Sequence, residues 1–359
     1  MKRLLLAVTV GCVMVAAAVP AAAQDAAYGL ESRAAIGAHH ICAGLWVVGR
    51  VTKRTADEII AQDIAPFRDF SWDKSFTYGV DEAKRTVTVR GAGIPARAAK
   101  FNGDQGCSIL PRGESDIHFK PVAVARNLPD AATQPWPTGD MGALADPPNA
   151  GVAAALDWGF SQTAHNTRAI VVVHRGKIVG ERYAPGWTKD TPQISWSAGK
   201  SITAALVGII VQRGQLKVDD VAPIKEWHTS KEDPRRDIRV RDLLRMSSGL
   251  DFANLGLNGP DSFTKANKHM RIYFDGLNVF EHAVNQPQEI APNTQFRYRN
   301  SDPLTLGRIV KEAVEARGEN YLTFPQRALF DKIGARNFVL ETDAWGNFIM
   351  TGFDYGAAR

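Results

Sequence analysis

The stretch "SAGKSITAALVGIIVQR", Ser197 to Arg213, is apolar for almost its whole length and is followed by Gly214. Its apolar positions fall on nearly every face of a helix, which predicts a central helix covered on all sides. Gly214 is a good residue to end it. Upstream, Arg168 to His174 and Lys177 to Tyr183 are strand-like runs on either side of Arg175-Gly176, a hairpin signal. Downstream, "DIRVRDLLRMSSGLDF", "GLNVFEHAVN" and "DPLTLGRIVKEAVEARG" read as helical pieces. Strands, then a central helix, then a helical block predict an α/β part with an all-α part inserted.

The first third of the chain has a different texture. Residues 24–126 read as a small α+β accessory domain. "RTADEIIAQDI" predicts a helix, with Thr55 and Glu58 as a capping box, and "RTVTVRG" alternates as a strand should. His39 and His40 are adjacent, point in different directions in either element, and read as structural or surface residues. Residues 127–150 are dense in Pro, Gly, Asp and Asn and predict a linker or an extended surface strap. Residues 151–359 are the remaining domain.

Before all of this stands "MKRLLLAVTVGCVMVAAAVPAAAQDAA". Lys2 and Arg3, the apolar run and Ala21-Ala22-Ala23 have the three parts of a secretory signal peptide over residues 1–23, so the mature protein is expected to be periplasmic or secreted, with no stable membrane span. The competing reading is a lipoprotein anchored at Cys12, for which "TVGC" is a poor attachment site. Cleavage removes Cys12 and leaves Cys42 and Cys107, which an exported chain is expected to pair as a disulfide. The net charge of +5 comes from Lys and Arg interleaved with Asp and Glu, without the basic block that tracks phosphates, so nucleic acid is not an expected partner. No Cys-x-x-Cys or His/Cys cluster suggests a metal, and no cofactor is implied.

Lys200 is out of place by the rules of helix formation. It sits in the first turn of an apolar helix, where the dipole disfavours a cation and burial disfavours it further. Ser197 lies three residues earlier and shares its face. A lysine in that position loses its proton more readily, and a neutral amine can take the proton of a serine hydroxyl. The serine N–H at the helix start is a donor for a developing oxyanion. Ser-x-x-Lys also occurs at Ser71–Lys74 and Ser262–Lys265, both in polar, loop-like surroundings; only Ser197–Lys200 opens an apolar helix after a hairpin. "GKS" at Gly199-Lys200-Ser201 has the letters of a phosphate-loop tail but lacks its first glycine, the position being Ile194. No Gly-x-Ser-x-Gly elbow is present.

With these residues in view, "VVHRGKIVGERYAPGW", "ISWSAGKSITAALVGIIVQRGQLKVDDVAPIKEW", "IRVRDLLRMSSGLDF" and "FRYRNSDPLTLGRIV" resemble successive blocks of the β-lactamase-related serine hydrolases. That family includes class C β-lactamases, D-alanyl-D-alanine carboxypeptidases, family VIII esterases and 6-aminohexanoate-dimer hydrolases. The resemblance runs from about residue 165 to the last residue. It implies a β-lactamase/penicillin-binding-protein-like fold, an antiparallel sheet with flanking helices and a helical insertion. It also implies that Tyr298-Arg299-Asn300 is the family's Tyr-x-Asn motif. Tyr298 would then face Ser197 and Lys200 and relay a proton to the leaving group, while Asn300 would hold Lys200 or a substrate amide. The sequence departs from the family at the third motif, Lys-Thr-Gly or His-x-Gly. The first is absent, and "HRG" at His174 sits at the hairpin turn. The expectation is therefore a piece of a longer product, incomplete at its C-terminus. The implied substrate is a small ester, amide or lactam. The alternative is a catalytically inactive penicillin-binding-like module that holds cell-wall peptide or small ligands.

Overall fold

The computed structural model describes residues 21–66, 72–144, 150–252 and 268–359. The leader lies outside these residues apart from its last three, and so do Ser71, Ser262 and Lys265.

The N-terminal third is one long helix laid on a sheet. Helix α1 (Ala21–Trp46) is followed by α2 (Ala56–Ile59), which opens on the Thr55/Glu58 capping box expected from the sequence and runs on through a wider turn to Ile64. Strands β1 (Thr77–Asp81), β2 (Thr86–Arg90), β3 (Arg97–Phe101) and β4 (Cys107–Ile109) form an antiparallel sheet in chain order. The period of two decides the packing. Val87 and Val89 of β2 are fully buried, and with Ala99 they meet Ala34, Ala38, Ile41 and Cys42 of α1. Small residues on that helix face let its backbone come close to the sheet. The Cys42–Cys107 disulfide then ties α1 to β4 across 65 residues of chain.

His39 and His40 are both buried, so neither is a surface residue. His40 donates from Nδ1 to the Ile36 carbonyl at 3.0 Å. His39 Nε2 lies 2.5 Å from Glu341 Oε2, and Glu341 Oε1 accepts the Cys107 N–H at 2.7 Å. Burial pushes the His39 imidazole down to about 3 and the Glu341 carboxyl well above its usual range. The pair is therefore held as a neutral hydrogen bond, the form that burial favours. Through it the N-terminal helix is joined to a residue three hundred positions later.

The Pro- and Gly-rich segment is a strap. Residues 127–130 have no regular structure, residues 131–144 fold into a 3-10 turn (Ala131–Thr133) and further turns, and Arg336 donates to the carbonyls of Pro129 and Thr138. Ile178 N–H donates to the Ala143 carbonyl at 2.8 Å. Helix α3 (Ala150–Ser161) leads to the hairpin of β5 (Ala169–His174) and β6 (Lys177–Tyr183). Its two turn residues, Arg175 (φ 47°) and Gly176 (φ 74°), are both left-handed, as a tight right-twisting hairpin requires.

Strand β7 (Gln193–Ile194) precedes α4 (Gly199–Gln212), α5 (Val240–Leu244), α6 (Lys268–Phe274), α7 (Val279–Val284), α8 (Ser301–Glu315) and the single turn α9 (Asp331–Ile333). Then come β8 (Phe338–Leu340) and β9 (Asp354–Gly356), which join β7 in an antiparallel sheet of order β7-β9-β8. Leu206, Val207 and Ile210 of α4 and Leu304, Leu306, Ile309 and Val310 of α8 share one core with Trp227, Phe252 and Phe280. The sequence predicted α4 to be covered on all sides, and the structure corrects this. Ser201, Ala204, Ala205 and Gly208 form an exposed stripe along it. Ser201 is polar, and the two alanines and the glycine are small, so leaving them in water costs little compared with leaving out Leu or Ile. Among the described residues, no helix is long and apolar enough to cross a membrane.

Candidate active site

The site begins one strand before α4. Ser195 donates to the Asp354 carbonyl twice, from its N–H at 2.8 Å and from its Oγ at 3.1 Å, which pins the end of β7 to β9. Trp196 then takes a left-handed conformation, φ 45°, rare for a bulky residue. Its ring is held edge-on against Tyr273, 5.8 Å between centroids, and tilted against Phe353 at 6.2 Å. The sharp reversal at Trp196 feeds a short 3-10 turn, Trp196–Ala198, that carries Ser197 into α4.

At the helix start, Lys200 Nζ donates to Ser197 Oγ at 3.0 Å. Lys200 is only 9% exposed. Burial pushes its ammonium down to about 8, against the opposing pull of the Asp354 carboxylate. The same Nζ lies 4.9 Å from the centroid of the Tyr298 ring. Serine, lysine and tyrosine, which the sequence grouped by spacing and resemblance, thus lie within contact range of one amine. The ammonium sits over the ring face, where the π electrons favour it.

Asn300 stands at the start of α8, fully buried. Its Nδ2 donates to Tyr273 Oη at 2.7 Å and to His269 Nε2 at 3.1 Å, so its amide nitrogen is committed to α6 rather than to Lys200. Its Oδ1 has no hydrogen-bond partner. Tyr273 Oη in turn donates to the Thr351 carbonyl at 2.8 Å. Burial, reinforced by the nearby Lys200, pushes His269 down to about 3, so it stays neutral and accepts from Asn300. This floor is anchored from below. Asp302, fully buried, accepts from the hydroxyls of Ser248 and Ser301 at 2.8 Å each. Ser248 belongs to the "SSGLDF" block of the sequence. His269 and Tyr273 were not singled out from the sequence. Their signal is a histidine and a tyrosine four residues apart on one face of a helix that also carries Lys268 and Arg271.

The remaining candidates lie elsewhere. His174 is exposed at the end of β5. Lys74 of the first Ser-x-x-Lys is exposed, and that of the third lies outside the described residues. Among the described residues, no three His, Cys, Asp or Glu side chains converge to hold a metal ion.

A model of the β-lactamase family matches residues 151–346, more than half of the chain. The chain belongs to the β-lactamase family. Its architecture is the β-lactamase and penicillin-binding-protein type, antiparallel sheets set among many helices. Among solved structures, one described as a 6-aminohexanoate-dimer hydrolase from Bacillus anthracis is 21% identical, with a TM-score of 0.45 over 54% of this chain and 51% of that one. The octameric penicillin-binding protein homologue from Pyrococcus abyssi is 17% identical, with a TM-score of 0.42 over 58% and 54%. The D-amino acid amidase from Ochrobactrum anthropi is 18% identical, with a TM-score of 0.35 over 53% and 60%. The chain spans little more than half the length of these proteins. Comparison with curated proteins gives no match.

In this β-lactamase-family chain the glycine of "SAGK" has a packing role. A Cβ on Gly199 would lie 2.0 Å from Asp354 Oδ2 and 2.8 Å from the Met350 carbonyl carbon. The Met350 backbone and the Asp354 side chain lie too close for any side chain there. Gly199→Ala is expected to lower stability by about 1–3 kcal/mol through overpacking, measured as a fall in the urea midpoint at unchanged slope.

Proposed function

We propose that the protein is an exported serine hydrolase that cleaves an ester or amide bond, lactams included, through an acyl-enzyme on Ser197. The observation that carries this reading is the 3.0 Å contact between Ser197 Oγ and a buried Lys200 whose ammonium is held down to about 8. Ser197 Oγ attacks the substrate carbonyl carbon as its proton passes to Lys200 Nζ. The tetrahedral oxyanion is met by the Ser197 N–H at the start of the helix. The phenol of Tyr298 carries the proton on to the leaving alcohol or amine. Water then adds to the acyl carbon, and Ser197 is released with its proton restored. Asn300 holds the floor of the site through His269 and Tyr273. The leader and the Cys42–Cys107 disulfide support export, since disulfides persist in oxidising compartments.

The test is covalent. After incubation with a fluorophosphonate or penicillin-type probe, peptide mapping by mass spectrometry is expected to find the adduct on Ser197. An adduct on a different serine overturns the assignment.

A further inference from the structure

Arg97 opens β3, and its side chain is 1% exposed. A buried guanidinium gives up its hydration, and for stability alone an apolar side chain of similar volume serves as well or better. What the guanidinium supplies is direction, because its donors are fixed in a planar fork. One arm, Nη1, donates to Glu31 of α1 at 2.8 Å. The other, Nη2, leaves the N-terminal third and donates to the carbonyl of Phe274, the last residue of α6, at 2.7 Å. The last carbonyls of a helix point onward to partners outside it. Two further contacts seat the same end of α6. Arg112, just after β4, donates from Nε to Glu31 at 2.5 Å and from Nη2 to Asp275 at 3.2 Å. Gly276 comes so close that a Cβ on it would lie 2.5 Å from the Leu110 carbonyl oxygen. The residue before Phe274 is Tyr273. Its hydroxyl joins Asn300 to the Thr351 carbonyl, and its ring meets Trp196 edge-on, one residue ahead of Ser197.

We propose that Arg97, which lies outside the segment matched to the β-lactamase family, is a positioning residue for acylation of Ser197 and acts through Tyr273. The inference rests on the serine-hydrolase reading above. The hydrogen-bond partners of Arg97 are Glu31 and Phe274, neither of them a reacting group. Its fork spans α1 and the end of α6, and so fixes where that end stands. The end of α6 sets the place of the Tyr273 ring, and the ring braces the left-handed turn at Trp196 that presents Ser197. A reacting group displaced by about 1 Å can lose about 10²-fold in rate. The N-terminal third is then a support of the hydrolase site.

The experiment follows the rate of Ser197 labelling by a fluorophosphonate against pH, in the full chain and in Arg97→Met, Arg97→Gln and Val87→Ala. Both Arg97 variants remove the fork, and their plateau rate is expected to fall by about 10–10²-fold. The acid-side midpoint is expected to stay where the parent has it. General loosening of the fold would instead let water reach Lys200 and move the midpoint up toward the ordinary lysine range. Val87→Ala removes packing between α1 and the sheet but no bond to α6, and is expected to label at the parent rate. A folded Arg97 variant that labels at the parent rate overturns the inference and leaves the hydrolase reading intact. A midpoint that rises as the plateau falls, or an equal fall in Val87→Ala, makes lost stability the cause and overturns it as well. Failure of both Arg97 variants to fold, judged by far-UV circular dichroism, does the same. Absence of Ser197 labelling in the parent protein removes the hydrolase reading itself.

Discussion

Ser197→Ala is expected to abolish both the covalent adduct and turnover, and Lys200→Met to slow acylation of Ser197 by about 10²–10⁴-fold, the span typical of a lost general base. Lys200 is the residue whose loss is diagnostic. Its Nζ is the partner that Ser197 Oγ has at 3.0 Å, and without it the hydroxyl keeps its proton. Methionine replaces the stem at similar volume, so the buried space stays filled. The pH dependence gives an independent reading of the same group. Only the neutral amine can accept a proton, and burial lowers the ammonium to about 8. Acylation in the parent protein is therefore expected to rise with pH, to reach half its plateau near that value, and to level off above it. Lys200→Met is expected to lose that limb of the profile. A Met variant with parent-like rate and profile would remove Lys200 from the chemistry.

The largest effect on stability is expected from the disulfide. Cys42 and Cys107 close a loop of 65 residues. Opening it restores conformational freedom to the unfolded chain, worth about 4 kcal/mol by the loop-entropy relation. Both cysteines are fully buried in the core between α1 and the four-stranded sheet. The Cys107 N–H also holds Glu341, the partner of His39. Replacement of both cysteines by alanine should therefore lower the urea midpoint by an amount corresponding to about 4 kcal/mol. It should also increase exchange of the α1 amides with solvent. Reduction of the parent protein should reproduce the shift. An unchanged midpoint would mean that the packing of α1 on Val87 and Val89 suffices by itself.

What could be read from the chain beforehand was local. The hairpin was legible because two strand-like runs flank Arg175-Gly176, whose backbone is left-handed at both residues. The Thr55/Glu58 cap was legible because its two halves are three residues apart. Ser197 and Lys200 were legible for the same reason, and Tyr298 through the resemblance of its block. The groups that complete the site come from far along the chain. Asp354 reaches Ser195 across 159 residues, and Tyr273 reaches Asn300 across 27. No periodicity encodes such a meeting. The coverage of α4 was misread because alanine and glycine count as apolar in a pattern yet have little to bury. His39 and His40 were placed between structure and surface because adjacency fixes only that they diverge, whereas the close approach of α1 to the sheet and to Glu341 buries both.

The attachment of Ser195 to Asp354 also sets an order of events. A ribosome that has finished the apolar helix at residue 212 must still add well over a hundred residues before β9 exists to hold the turn in front of it. During that interval Trp196 has nothing to brace its unfavourable backbone, and Ser197 is an ordinary serine on a nascent peptide. The turn that presents Ser197 is thus braced late, by closure of a distant strand.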